Sequence, residues 1–154
     1  MTTTIEGAEE TPRANWRLSF RVHHPSADLS ALAERIGDAF DMDPELVWRA
    51  GEPAPHAKPP GQVRRRSYCT VPLPDDEGTV VTALIDALKA LTPLREELAG
   101  IVASGGRLDL FAGLFVESMM GLELLPALMA ELAGMGIELQ FDIYGGPRDE
   151  PLGP

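Results

Sequence analysis

Cysteine is almost absent from this 154-residue chain, with Cys69 standing alone. A lone thiol excludes an internal disulfide and any cysteine-based zinc cluster, and it fits a reducing compartment. No apolar run approaches the ~18 residues that a spanning helix requires. The opening "MTTTIEGAEETPRAN" is polar and acidic where a secretory leader needs a basic start and an apolar stretch. A cytoplasmic protein with no membrane contact is expected. Basic charge is also scarce, 13 Lys and Arg against 24 Asp and Glu, for a formal net charge of -11. Most of such a surface repels nucleic acid, so a nucleic-acid partner is not expected. The three histidines show no H-E-x-x-H spacing, and no G-x-S-x-G elbow, Walker loop or G-x-G-x-x-G turn occurs. The sequence therefore implies no cofactor, no metal and no catalytic residue.

Hydrophobic residues make up 44% of the chain and charged residues 24%, a balance that supports a globular core. The length suits one domain. Residues 1–14 lack periodicity and "GGPRDEPLGP" is rich in Gly and Pro, so 1–14 and 147–154 read as flexible tails around a domain at 15–146.

Within that domain, "WRLSFRVH" alternates cleanly and predicts a half-buried strand. "SADLSALAERIGDAF" sets Leu29, Leu32, Ile36 and Phe40 on one helical stripe, with Ser26 or Asp28 as N-cap. "ELVWRAG" reads as a short strand, "EPAPHAKPPG" as an irregular connection and "VRRRSYCTVPL" as a third strand. From Thr79 the spacing is helical. "TPLREELAGIVASGG" restarts it, with Thr92 as N-cap and Gly105 or Gly106 as terminator. "RLDLFAGLFVE" predicts a strand, "LELLPALMAELAGMG" a helix carrying Leu125, Leu128, Leu132 and Met135 that starts shortly before Pro126, and "IELQFDIYGG" a last strand. The order β-α-β-β-α(α)-β-α-β predicts an α+β domain: a mainly antiparallel open sheet of ferredoxin-like flavour with its helices on one face. "RLSF", "SALAERI" and "ELVWRAG" are echoed by "RLDL", "PALMAEL" and "ELQFDIYGG", which hints at two similar β-α-β halves.

Alternation assigns one polar row per strand to a solvated face. Arg17, Ser19, Arg21 and His23 form the first, Arg64, Arg66, Tyr68 and Thr70 the second, and Glu138, Gln140, Asp142 and Tyr144 the third. Trp16, Leu18, Phe20, Leu46, Trp48, Ile137, Leu139, Phe141 and Ile143 are expected beneath the helices, with Arg65 out of phase. Between Trp48 and Tyr68 the charge balance inverts, with Arg49, Lys58, Arg64, Arg65 and Arg66 against Glu52 alone. Two readings follow. Arg64 and Arg66 either pair with Glu138 or Asp142 across strands, at roughly 0.2–1 kcal/mol a pair, or they receive a ligand. Arg17, Arg21, Arg49, Arg64, Arg66, Tyr68, Asp142 and Tyr144 are then the candidate binding residues, and the partner is another protein or a small anion.

Other motifs carry less. "DMDPELVWRAGE" places Asp41, Asp43, Glu45 and Glu52 at calcium-loop positions, yet Leu46 stands where the sharp turn requires glycine. "PDDEG" is an acidic turn. His23 and His24 point to opposite faces, and Cys69 alternates into a buried row with no histidine beside it.

"LVWRAGEP" before an arginine-bearing strand, and "LLPALMAELAGMGIELQFDIYGG" at the close, resemble a family of small bacterial proteins catalogued as domain of unknown function 4279. The likeness runs from Trp16 to Gly146 and rests on Trp48 with Gly51 and on the closing helix followed by Asp142, Ile143 and Tyr144. It implies a compact α+β domain and supplies no reaction, cofactor or catalytic residue; "PHAKPPGQVRRRS" maps onto no motif of it. The expected function is a non-catalytic binding or interaction domain, with an accessory or immunity-like role, acting through the open sheet face and the loop at 52–62. The alternative is a small enzyme or small-anion-binding protein with a pocket near Arg49, Arg64, Arg66 and Tyr68.

Overall fold

The structure, a computed structural model, describes residues 15–75 and 78–145. The expected tails, and Asp76 and Glu77 of the acidic turn, lie outside the described residues. Among the described residues five strands and four α-helices follow one another as β1 (Trp16–His24), α1 (Ser30–Phe40), β2 (Leu46–Trp48), β3 (Ser67–Pro72), α2 (Val80–Leu91), α3 (Arg95–Ala103), β4 (Arg107–Val116), α4 (Pro126–Gly134) and β5 (Ile137–Gly145). The sheet order is β2-β3-β1-β4-β5. All neighbours pair antiparallel except β4 and β5, which are parallel. The first four strands thus make a ferredoxin-like β-α-β-β-α-β unit, to which α4 and β5 add a fifth strand. The two echoed sequence segments are both β-α-β crossovers between strands of like direction. In the first, β3 is inserted between β1 and β2, while in the second β4 and β5 are adjacent.

One hydrophobic core lies between the sheet and the helices. Alternate residues of β1, from Trp16 through Phe20 to Val22, bury against it, and Phe20 meets Phe40 of α1 edge to face, with centroids 6.5 Å apart. The same face of β4 supplies Leu108, Leu110, Ala112 and Leu114. Thr79 caps α2 by accepting a hydrogen bond from the Thr82 N–H at 3.1 Å. Gly105 and Gly106 end α3 for different reasons. Gly105 has φ +104, and a Cβ on Gly106 would stand 2.6 Å from the His23 carbonyl oxygen.

Several local expectations are corrected. Thr92 is no N-cap: its hydroxyl donates back to the Leu88 carbonyl at 2.9 Å, and a 3-10 turn at Thr92–Leu94 carries the chain from α2 into α3. For α1, neither Ser26 nor Asp28 is the N-cap: Leu29 holds that position without a side-chain cap, and the Asp28 carboxylate, one residue earlier, accepts from the N–H of Ser30, the first helical residue, at 3.0 Å. Pro126 is itself the first residue of α4, where its missing N–H costs nothing, and Leu125 sits outside the helix, 59% exposed. β3 begins only at Ser67, so Arg64 and Arg66 are not strand residues.

The larger correction concerns β2. Leu46 lies opposite Thr70, and Trp48 opposite Tyr68. Because Arg21 also lies opposite Thr70, and His23 opposite Tyr68, Leu46 and Trp48 belong to the open face and not to the helix-covered one. Val47 takes the other side. At the far edge, Ile143 lies on the helix-covered face opposite Leu114 but is 65% exposed, because α4 shelters only the start of β5.

Candidate functional site

The open face carries a row of side chains that crosses the sheet from its β2 edge. Gly51, at φ +94, turns the chain after β2, and the returning Arg64 is fixed by two backbone hydrogen bonds: its N–H to the Glu52 carbonyl at 2.7 Å, and its carbonyl from the Gly51 N–H at 2.8 Å. That hairpin lays the Arg64 guanidinium over the Trp48 ring, 3.8 Å from its centroid. Trp48 stacks obliquely on Tyr68 at 4.9 Å, and Tyr68 on His23 at 5.1 Å. The Arg64 Nε is buried and has no acceptor among the described residues.

The row ends in a charge cluster that no motif announced. Asp109 of β4, between buried Leu108 and Leu110, faces the open side directly opposite Arg21, yet its side chain is 0% exposed. Arg21 covers it, donating from Nε to Oδ1 at 2.7 Å and from Nη2 to the Gln140 Oε1 at 3.0 Å, while its guanidinium lies 4.4 Å from the Phe111 ring centroid. The His23 Nε2 completes the shell at 3.2 Å from Oδ2. A carboxylate only accepts, so Nε2 carries the proton. Burial lowers the His23 pKa below the usual histidine value and outweighs the raising effect of Asp109. At neutral pH the contact is therefore a hydrogen bond from an uncharged imidazole. For Arg21, burial opposes the charge, but the hydrogen bond and attraction of Asp109 prevail and raise its pKa.

A second group gathers near the other end of the strands, where Gly113 leaves a gap. Gly113 lies opposite Arg17 on one side and Asp142 on the other. A cavity of about 400 Å³ opens there, lined by Arg17, Ser19, Phe111, Phe115 and Tyr144 among others. Tyr144 stacks on Phe115 at 5.2 Å, and its hydroxyl reaches Asp142 at 3.5 Å.

The eight candidate residues thus divide. Arg21, Arg64 and Tyr68 join the row, and Arg17, Asp142 and Tyr144 surround the gap at Gly113. Arg49 instead donates to the Ser26 carbonyl at 3.2 Å, in the loop after β1. Arg66 is exposed in a bend beside Arg65 and does not share the row. Neither Arg64 nor Arg66 pairs with Glu138 or Asp142, because β1 and β4 lie between β3 and β5; Glu138 meets Arg107 at 3.5 Å. Asp109, Trp48, His23 and Gln140 were missed. The signal for Asp109 is an acid alternating between two buried leucines, which acquires meaning only once β1 is known to lie beside β4.

Asp41 takes the left-handed conformation that closes α1, φ 58, and no group of three His, Cys, Asp or Glu among the described residues is placed to hold a metal ion. His24 is structural: its Nδ1 accepts from the Ser26 and Ala27 N–H groups. Among the described residues no helix is long and apolar enough to cross a membrane. No model of a known protein family matches the chain, and no curated protein does.

Proposed function

We propose that this protein is a non-catalytic cytoplasmic binding domain, of the family it resembles, that takes an acidic protein partner on the Arg64–Trp48–Tyr68 row. The observation that carries the reading is the Arg64 guanidinium, held over the Trp48 ring of the open face with its Nε–H buried and lacking an acceptor among the described residues. Arg64 is itself part-exposed, and a carboxylate matches the guanidinium fork. Arginine, tryptophan and tyrosine are the residues that dominate binding energy at interfaces. The row lies on the open face of the sheet, which suits a protein surface better than an enclosed small molecule. An accessory or immunity-like role is consistent with such a surface.

The small-enzyme alternative draws on one observation, the neutral His23 hydrogen-bonded to buried Asp109, an arrangement that can accept a proton at Nδ1. Pull-down with the full chain separates the readings. Loss of a salt-sensitive protein partner in Arg64→Ala, with the partner kept in His23→Gln, supports the binding domain. If Arg64→Ala and Trp48→Ala both retain every partner of the wild type, the row is not the binding surface.

A further inference from the structure

We propose that β5 pairs antiparallel with the β5 of a second copy of this chain, about a two-fold axis at Phe141, to make one continuous ten-stranded sheet. The two edges of the sheet differ. β2 is three residues long and is followed by the Pro-rich hairpin bridged at Pro53 and Val63. β5 runs nine residues at the opposite edge, without lysine, proline or a break in its pairing with β4, and among the described residues no strand pairs with its outer side. Protein edges of that length are ordinarily covered or blunted. The helix-covered face of β5 is also unfinished: Leu139 and Phe141 are half-buried, and Ile143 is the most exposed aliphatic side chain of the sheet.

Side-chain alternation restricts the pairing, because residues directly opposite must share a face, so the two-fold axis passes through a residue. An axis at Gln140 sets Glu138 against the second copy's Asp142 twice over. An axis at Asp142 sets the two Asp142 carboxylates together. An axis at Phe141 opposes no like charges and overlaps all nine residues from Ile137 to Gly145. It sets Ile143 beside Leu139 on the helix-covered side, and Asp142 beside Gln140 and Tyr144 beside Glu138 on the open side. A second copy therefore covers the exposed Ile143 with an apolar neighbour and sets no like charges opposite one another. Such pairing is isologous and closes at two subunits.

The test is the mass of the full chain in solution, by light scattering at high micromolar concentration, followed by cysteine cross-linking. The expected mass is twice the 16.6 kDa of the chain, falling to one chain in Ile143→Lys. Native Cys69 is buried with its thiol pKa pushed up to about 12, so introduced cysteines report alone. Phe141→Cys is expected to form a disulfide dimer by itself. Gln140→Cys and Asp142→Cys are expected to do so only when mixed. A monomer overturns the proposal, and slow amide exchange along β5 in that monomer would assign the edge to the chain's own terminal segments. A dimer that survives Ile143→Lys and is not trapped by Phe141→Cys overturns it as well, and one trapped by Gln140→Cys alone overturns the Phe141 register.

Discussion

Arg21 of β1 donates from Nε to the Oδ1 of Asp109 in β4 at 2.7 Å, although 88 residues separate them in the chain. The carboxylate has no exposure of its own and the guanidinium retains some, so the two partners respond differently to loss of the other. Arg21→Met keeps an apolar cover over Asp109 while removing the charge-assisted donor. Its expected cost lies toward the lower end of the ~3–5 kcal/mol of a broken buried pair, because the site borders solvent. Arg21→Met combined with Asp109→Leu should recover most of that loss. Urea denaturation of both single variants and the double gives the coupling; a value under about 0.5 kcal/mol would mean the pair is incidental.

His23 makes stability depend on pH. Its folded pKa is lowered by burial, so the unfolded chain binds a proton more readily. Stability from this group is complete above the unfolded histidine value of about 6.5 and is lost as pH falls toward the folded pKa. Measured between pH 7.5 and pH 5, the wild type should lose more stability than His23→Gln. Equal losses in the two proteins would remove His23 as the cause.

The two tryptophans should be separable by light. Trp16 is buried, whereas Trp48 lies half-exposed on the open face beneath Arg64. In Trp48→Phe the remaining emission is expected to be blue-shifted and poorly quenched by acrylamide, while Trp16→Phe leaves an accessible fluorophore. Trp48→Ala should cost less than the ~3–5 kcal/mol of a core aromatic. A cost in that range would return Trp48 to the core.

Cys69 pairs in register with Val22 in the middle of the sheet, and burial raises its thiol pKa to about 12. Thiol reagents at pH 8 should therefore react only as fast as the chain opens, with rates that rise with urea. Prompt labelling of the native protein would show that β1 and β3 separate locally.

Much of this architecture is legible in the amino-acid order because it depends on local periodicity. Period-two alternation marks β1 and β5, and period-3.6 stripes mark α1 and α2. Gly105 and Gly106 announce the end of α3 by what they lack. Such signals are written into a dozen residues and survive any packing. The phase of β2 is not of that kind. Three residues carry no periodicity of their own, and "LVW" suits either face; only its pairing with β3 turns Trp48 toward solvent and into contact with Tyr68.

The candidate site follows the same division. Sequence alternation by itself places Arg17, Arg21, Tyr68, Asp142 and Tyr144 on the open face, and this much needs only the pleat. Which of them meet is decided by strand order, a long-range property that no segment encodes. Inserting β3 between β2 and β1 brings Trp48 to Tyr68 and Tyr68 to His23, and setting β4 beside β1 gives Arg21 its buried acid. The same order removes Glu138 and Asp142 from reach of Arg64. In β1 and β5 alternation decided which face each side chain takes; the tertiary structure decided the neighbours and the phase of β2, because contacts across a sheet depend on how distant strands are ordered.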